Sequence, residues 1–391
     1  MLLVIKGTIE LKIILWITAI IFVIKIISVG ILPVGSDDYY RYLWDGKILV
    51  NGINPFQYAP DSKSLNHLHS NLLPLEVTYP HIKTIYFPLS QAAFALAFLI
   101  SGESIWGLKI IVLLSDLLLT LGFFLTLKKR KIDYKYVLLY ILSPLIFYQF
   151  IIDAHIDLLG IAFFAYTIYF YKEKKLLAAL FLGLSLTVKP TFIIAIPIFF
   201  FFDKERKNKL MWASLPIFLL VISFIPFTFD ANPLDTLFNY SRHWSFNGAA
   251  FNLFTSFIDN TFVVRIILIF IFGCIYFSLV RFNNNVISTL YYSMMFLLIF
   301  SPVVHPWYAA WLIVLLVIYP KLSGITFISF ISLTFYTVMI YQTKGAWNEY
   351  PLILLLEYIP VIALLIYEIL ITNKEGFSGN ILRKSMPPEN I

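Results

Sequence analysis

Six stretches of this chain, residues 11–32, 105–127, 211–229, 262–280, 322–341 and 352–371, stay apolar over the thickness of a bilayer, and this repetition constrains the fold more than any other feature. A hydrocarbon core about 30 Å thick takes a helix of roughly 17 to 25 residues. A backbone facing lipid must satisfy its hydrogen bonds within its own segment, and the sequence lacks the alternating strands and turn signals of a barrel, so the element is helix. Shorter apolar runs cover 87–101, 134–151, 156–171, 176–188, 191–202, 286–301 and 307–319. The expected fold is an all-α polytopic membrane protein with about eleven to thirteen transmembrane or re-entrant helices. It reads as a single integral membrane domain over 1–391. Charged residues are 13% of the chain, against roughly 25% in soluble proteins.

The net charge of +7 sits largely in short loops between apolar runs, where the positive-inside bias places it, so no nucleic-acid partner is expected. The single cysteine, Cys274, cannot form an intrachain disulfide. The first run is too long for a secretory signal and reads as a first transmembrane helix. Basic clusters at 128–131, 172–175, 204–209 and 374–384 assign those loops, and the tail 372–391, to the cytoplasm. The first loop, 33–86, and a second, 230–260, then lie outside. Between the second and third clusters the chain must cross an even number of times. A pair of half-helices broken at Lys189-Pro190 is the simplest solution, since proline removes a donor and disfavours helix in the residue before it. Parity also requires one early run not to span, and 87–101 is short enough to be that one.

The first outer loop concentrates Asp37, Asp38, Arg41 and Asp45 among Tyr39, Tyr40, Tyr42 and Trp44 just beyond the first helix. A carboxylate can take the proton of a hydroxyl nucleophile, and aromatic rings offer flat faces with polar tips, a combination suited to sugars. Capping of a helix is the plain alternative for Asp37-Asp38, and an i, i+4 ion pair is the plain alternative for Arg41 and Asp45. His81, Lys83 and Tyr86 precede the next apolar run and line a cavity mouth or mark the interface. Asp153, His155 and Asp157 sit at one hairpin tip, Lys189 at the helix break, and Arg242, His243 and Trp244 in the second loop. His305, Pro306 and Trp307 follow in SPVVHPWYAAW. Ionisable groups at membrane depth are costly, and all of these fall on the side of the acidic pair, which implies one site. Lys189, Arg242 and His305 suit a phosphate, and the acids suit a reacting hydroxyl. Asp37, Asp38 and Asp45 offer oxygen ligands to Mg²⁺, Mn²⁺ or Ca²⁺, though nothing in the sequence demands a cation.

A first transmembrane helix followed at once by an acidic pair, then many helices with scattered cations, resembles the GT-C glycosyltransferases. SDDYYRYLWDG, GINPF, AHIDLLGI, SLTVKPTF and SPVVHPWYAAWL are similar to segments of the polyprenol-phosphate-mannose-dependent mannosyltransferases and span about residues 33–311. The resemblance implies inverting transfer of a sugar, mannose by family weight, from a polyprenyl-phosphate carrier to a glycan or glycolipid acceptor. It implies Asp37 or Asp38 as the base, donor-phosphate contacts from Lys189, Arg242 and His305, and no required cofactor. A sugar and acceptor pocket would draw on Tyr40, Arg41, Trp44, Asp45, His81, Asp153, His155, Trp244 and Trp307. By the same analogy the protein resides in a bacterial plasma membrane with its site facing outward. A transporter or flippase of a lipid-linked saccharide is the main rival, because broken helices and buried charges also mark transport pathways.

Overall fold

The computed structural model describes residues 7–345 and 347–375, so most of the expected tail, 376–391, lies outside the described residues. Helix α1 (Leu11–Ser28) leads into the long polar insertion, which is itself folded. There α2 (Asp38–Val50) starts at the acidic pair and a 3-10 turn covers Lys63–Leu68. α3 (Pro88–Ser101) opens on a proline, whose missing donor costs nothing at a first turn, and leads to α4 (Trp106–Arg130). α5 is a pair, Tyr134–Ile141 and Pro144–Ile152, bent by 48° where Pro144 interrupts the ladder. α6 (Asp157–Phe170) and α7 (Lys175–Val188) follow, then a 3-10 turn over Pro190–Ile194 and α8 (Ala195–Phe202). α9 (Arg206–Phe224), α10 (Asp235–His243) and α11 (Ala249–Thr255) bracket the second loop. α12 (Thr261–Phe282), whose first amides are capped by Asn260, α13 (Val286–Phe300), α14 (Pro306–Ile318), α15 (Leu322–Lys344) and α16 (Pro351–Glu375) complete the chain. Among the described residues there is no strand, only isolated bridges from Phe246 and Asn247 to Val303.

Six of these helices are long and apolar enough to cross a membrane, the bent α5 pair makes a seventh candidate, and six shorter apolar helices accompany them. The protein is thus an all-α polytopic membrane protein. α1, α9 and α12 bury only 11–17% of their most apolar stretch, leaving the rest for lipid. α14 is the opposite case: every residue from Ala309 to Val317 is fully buried, which is why its sequence is apolar all round.

Three features position the site. The α7–α8 break falls at Lys189, which is extended at φ −159° and ψ 135°, as Lys189-Pro190 predicts. Ser90 Oγ donates to the Val188 carbonyl at 2.9 Å, tying that break to α3. α3 is tethered to α2 at both ends. Near its start Gln91 Nε2 donates to Asp45 Oδ2 of α2 at 3.0 Å, and just past its end Glu103 pairs with Lys47 of α2 at 2.6 Å. Its 14 residues give about 21 Å of helix, short of a full crossing. α2 and α3 meet backbone to backbone: a Cβ on Gly46 would lie 2.3 Å from the Phe94 carbonyl oxygen. Inside the bundle, Lys25 of α1 pairs with Asp116 of α4 at 2.5 Å, and the Tyr140 hydroxyl donates to the same carboxylate.

Candidate active site

Asp38 occupies the first turn of α2, and 33% of its side chain is solvent-accessible. Asp37 holds the N-cap position, yet its carboxylate makes no capping bond and instead accepts from the Thr78 hydroxyl. Capping therefore does not account for the pair. Facing Asp38 is the hairpin tip between α5 and α6. His155 Nδ1 lies 3.8 Å from Asp38 Oδ2 and 3.1 Å from the Tyr42 hydroxyl. Tyr42 is fixed in turn by stacking on Phe94 at 4.5 Å and by the edge of Tyr86 at 5.0 Å.

Asp157 begins α6 and reaches across to the helix break. Lys189 Nζ donates to Asp157 Oδ1 at 2.7 Å, Trp311 Nε1 donates to the same oxygen at 3.0 Å, and the lysine ammonium sits 3.7 Å over the Tyr308 ring. A half-buried cation paired, hydrogen-bonded and set on a ring face is well compensated. Beside it runs a wall of stacked rings. Trp307 lies between His155 at 4.0 Å and His305 at 4.4 Å, and Phe246 continues the stack 4.7 Å from His305.

A cavity of about 340 Å³ opens at the Asp157–Lys189 pair; Asp38, His155 and the Trp307 stack stand beside it and are not part of its lining. Asp157, Lys189, Tyr86, Tyr240 and Tyr308 line it together with Val188, Ile193, Ile194, Met294, Leu297 and Leu298, so one hollow offers both charge and an apolar wall. Partial burial, reinforced by the neighbouring Asp37 charge and opposed by Lys189, raises the Asp38 carboxyl to about 7. Burial lowers His155 to about 3, and burial with the nearby Lys189 charge lowers His305 to about 3. At neutral pH both imidazoles are uncharged, so they can donate hydrogen bonds but contribute no net charge. Asp38 is poised to exchange a proton near neutrality.

Several residues expected in the pocket lie elsewhere. Arg41 and Asp45 form the i, i+4 ion pair at 2.9 Å. Asp45 also accepts from Thr84 at 2.5 Å and from Gln91, and Arg41 donates to the Ile82 carbonyl at 2.8 Å. Asp45 is thus committed to holding α2 against α3, and it is not available to join Asp37 and Asp38 around a cation. No group of three metal-type ligands occurs among the described residues. Trp44 is fully buried in the core of the first loop, edge-on to His69. Asp153 is buried and accepts the amides of Val34 and Gly35, both at 3.0 Å. His81 is exposed beside Tyr79, and Tyr40 packs on Tyr39 at 4.0 Å. Arg242 is exposed on α10 without a hydrogen bond or ion pair among the described residues, whereas Tyr240, two positions earlier, lines the cavity. Trp244 packs on Tyr240 at 5.4 Å and edge-on to Tyr79 at 5.1 Å.

Sequence reasoning puts Asp157 at the hairpin tip and Tyr86 near the cavity mouth without assigning either a role. It does not single out Tyr240, Tyr308 or Trp311. The one available signal was AHID, which sets a second acid two residues from His155 at a helix start.

Residues 10–202 match the family model for the N-terminal domain of the MptA/MptB family, alpha-(1->6)-mannopyranosyltransferase. Residues 251–371 match the model for the MptB C-terminal domain. No curated protein and no solved structure matches the chain. The first match ends just past the Lys189 break and the second covers His305–Trp307, while Tyr240 and Phe246 lie between the two matched segments. The chain belongs to the alpha-(1->6)-mannopyranosyltransferase family and is an integral membrane mannosyltransferase.

Proposed function

We propose that this mannosyltransferase draws its sugar from a polyprenyl-phosphate carrier and passes it, with inversion, to a hydroxyl of a glycan or glycolipid on the extracytoplasmic side. The observation that carries the reading is the shared cavity, lined by Lys189 and three tyrosines together with Ile193, Ile194, Met294, Leu297 and Leu298. A donor with a phosphate head and an isoprenoid tail meets both chemistries at once. The positive clusters on the opposite loops support the outward orientation.

In this mechanism Asp38 takes the proton of the acceptor hydroxyl as its oxygen attacks C1 of the mannose. The C1–O bond to phosphate breaks, and polyprenyl phosphate leaves with its charge held by Lys189. Phosphate departs as a stable anion, so no general acid is needed, and one carboxylate suffices where glycosidases use two. Inversion yields an α-mannoside when the donor linkage is β. Asp38 is preferred to Asp37 because it lies against His155, next to the Asp157 and Tyr86 that line the cavity, while Asp37 is engaged by Thr78. The Trp307 wall with neutral His155 and His305 suits the sugar and acceptor. Arg242 is exposed and does not line the cavity, and His305 is uncharged at neutral pH, so Lys189 is the cation assigned to the phosphate. No step is routed through a divalent cation.

The test is donor choice. Purified protein in lipid nanodiscs, given a mannoside acceptor, should label it from polyprenyl-phosphate-[¹⁴C]mannose and not from nucleotide-activated mannose. Labelling from the nucleotide donor alone would overturn the proposal.

A further inference from the structure

The linker from α1 to α2 is seven residues long before the Ser36-Asp37-Asp38 turn, and four of its backbone groups are gripped by side chains from three other elements. Lys109 Nζ of α4 donates to the Ile31 carbonyl at 2.6 Å. Asp153 Oδ1, at the end of α5, accepts the amides of Val34 and Gly35 at 3.0 Å each. Gln342 Nε2 of α15 donates to the Val34 carbonyl at 2.9 Å. The same Lys109 ammonium donates to the Ile151 and Ile152 carbonyls at 2.9 and 2.8 Å, on the segment that runs into His155 and Asp157. One lysine and one aspartate therefore hold the two segments that face each other across the site. The fit leaves no slack at Gly35, where a Cβ would come within 2.7 Å of both Asp153 Oδ2 and Tyr148. Both Lys109 and Asp153 are buried, and neither lines the cavity.

We propose that Asp153 and Lys109 are positioning residues, a buried brace that sets Asp38 at its working distance from His155 and Asp157 without touching substrate. The proposal rests on the reading of Asp38 as the base. Preorganised geometry matters here because a displacement of about 1 Å at a reacting group costs on the order of a hundredfold in rate. Loss of the brace releases the linker and with it the first turn of α2, while Lys189 and the apolar wall stay in place, so turnover suffers and donor binding does not.

Asp153→Ala, Asp153→Asn, Gly35→Ala and Asp38→Asn are compared in the radiolabel transfer assay and by amide hydrogen exchange over residues 31–38. Asp153→Ala should lower kcat at least about tenfold with donor KM within about threefold. Asp153→Asn keeps an oxygen that can accept both amides and should recover most of the rate. The Val34 and Gly35 amides should exchange faster in Asp153→Ala than in wild type. Wild-type kcat or unchanged exchange in Asp153→Ala overturns the brace, as does a loss expressed mainly in donor KM. If Asp153→Ala does not fold, Gly35→Ala must show the same split, and wild-type kcat there overturns the brace equally. A fully active Asp38→Asn removes the base, whereas an inactive Asp38→Asn beside a fully active Asp153→Ala removes the brace alone.

Discussion

If Asp38 is the base, lowering the pH should switch transfer off well above the ordinary carboxylate range. Only the ionised carboxylate accepts a proton, and burial with the adjacent Asp37 charge holds Asp38 at about 7. Below that value kcat/KM should fall about tenfold per pH unit, so that pH 5 retains on the order of 1% of the plateau. A carboxylate near its usual value of about 3.9 would keep more than about 90% of its activity at pH 5. Two substitutions give the limb a sign test. Asp37→Asn removes a repelling charge and should move the acid limb down in pH; Lys189→Met removes an attracting one and should move it up. The assay is initial-rate transfer at subsaturating donor from pH 4.5 to 9, with reversibility checked by returning samples to pH 8. An acid limb near 4, or one that neither substitution moves, would refute the assignment.

Lys189→Met should also raise donor KM about 10- to 100-fold, the worth of a hydrogen bond to a charged group, and leave acceptor KM unchanged; an unaltered donor KM would exclude the phosphate contact. Lys25→Met strands Asp116 in the bundle, where the two side chains are 3% and 1% exposed. It should cost about 3–5 kcal/mol, read as a lower unfolding temperature in detergent. Lys25→Met with Asp116→Leu should recover much of that loss, and an unchanged melting temperature in the single variant would count against the pair. Gly46→Ala forces α2 away from the Phe94 carbonyl and should destabilise by about 1–3 kcal/mol, with a matching fall in transfer because α2 carries Asp38; unaltered stability and rate would contradict the close crossing.

The membrane helices are legible in the sequence because hydrocarbon imposes one length and one secondary structure on any crossing segment. The α7–α8 break is legible for a local reason, since Lys189-Pro190 forbids a continuous helix at that point. The expectation that 87–101 does not span follows from parity of crossings, and the helix found there is a short apolar one of 14 residues. Within the site, the acidic pair and Lys189 stand out because charge at membrane depth is rare. The pairing of Lys189 with Asp157, 32 residues earlier, is set by tertiary contact and leaves no spacing signal. Asp45 and Asp153 show the converse: a carboxylate among aromatics reads alike whether it meets substrate or backbone amides. Tyr240 and Tyr308 look like ordinary interfacial tyrosines until helices far apart in sequence bring them over one cavity.

The most direct measurement is single-turnover transfer of [¹⁴C]mannose from the polyprenyl-phosphate donor by wild type, Asp38→Asn and Asp37→Asn in nanodiscs, with donor binding measured in parallel. The account predicts that Asp38→Asn binds donor as wild type does and transfers nothing detectable, while Asp37→Asn remains active. Transfer at the wild-type rate by Asp38→Asn would contradict it.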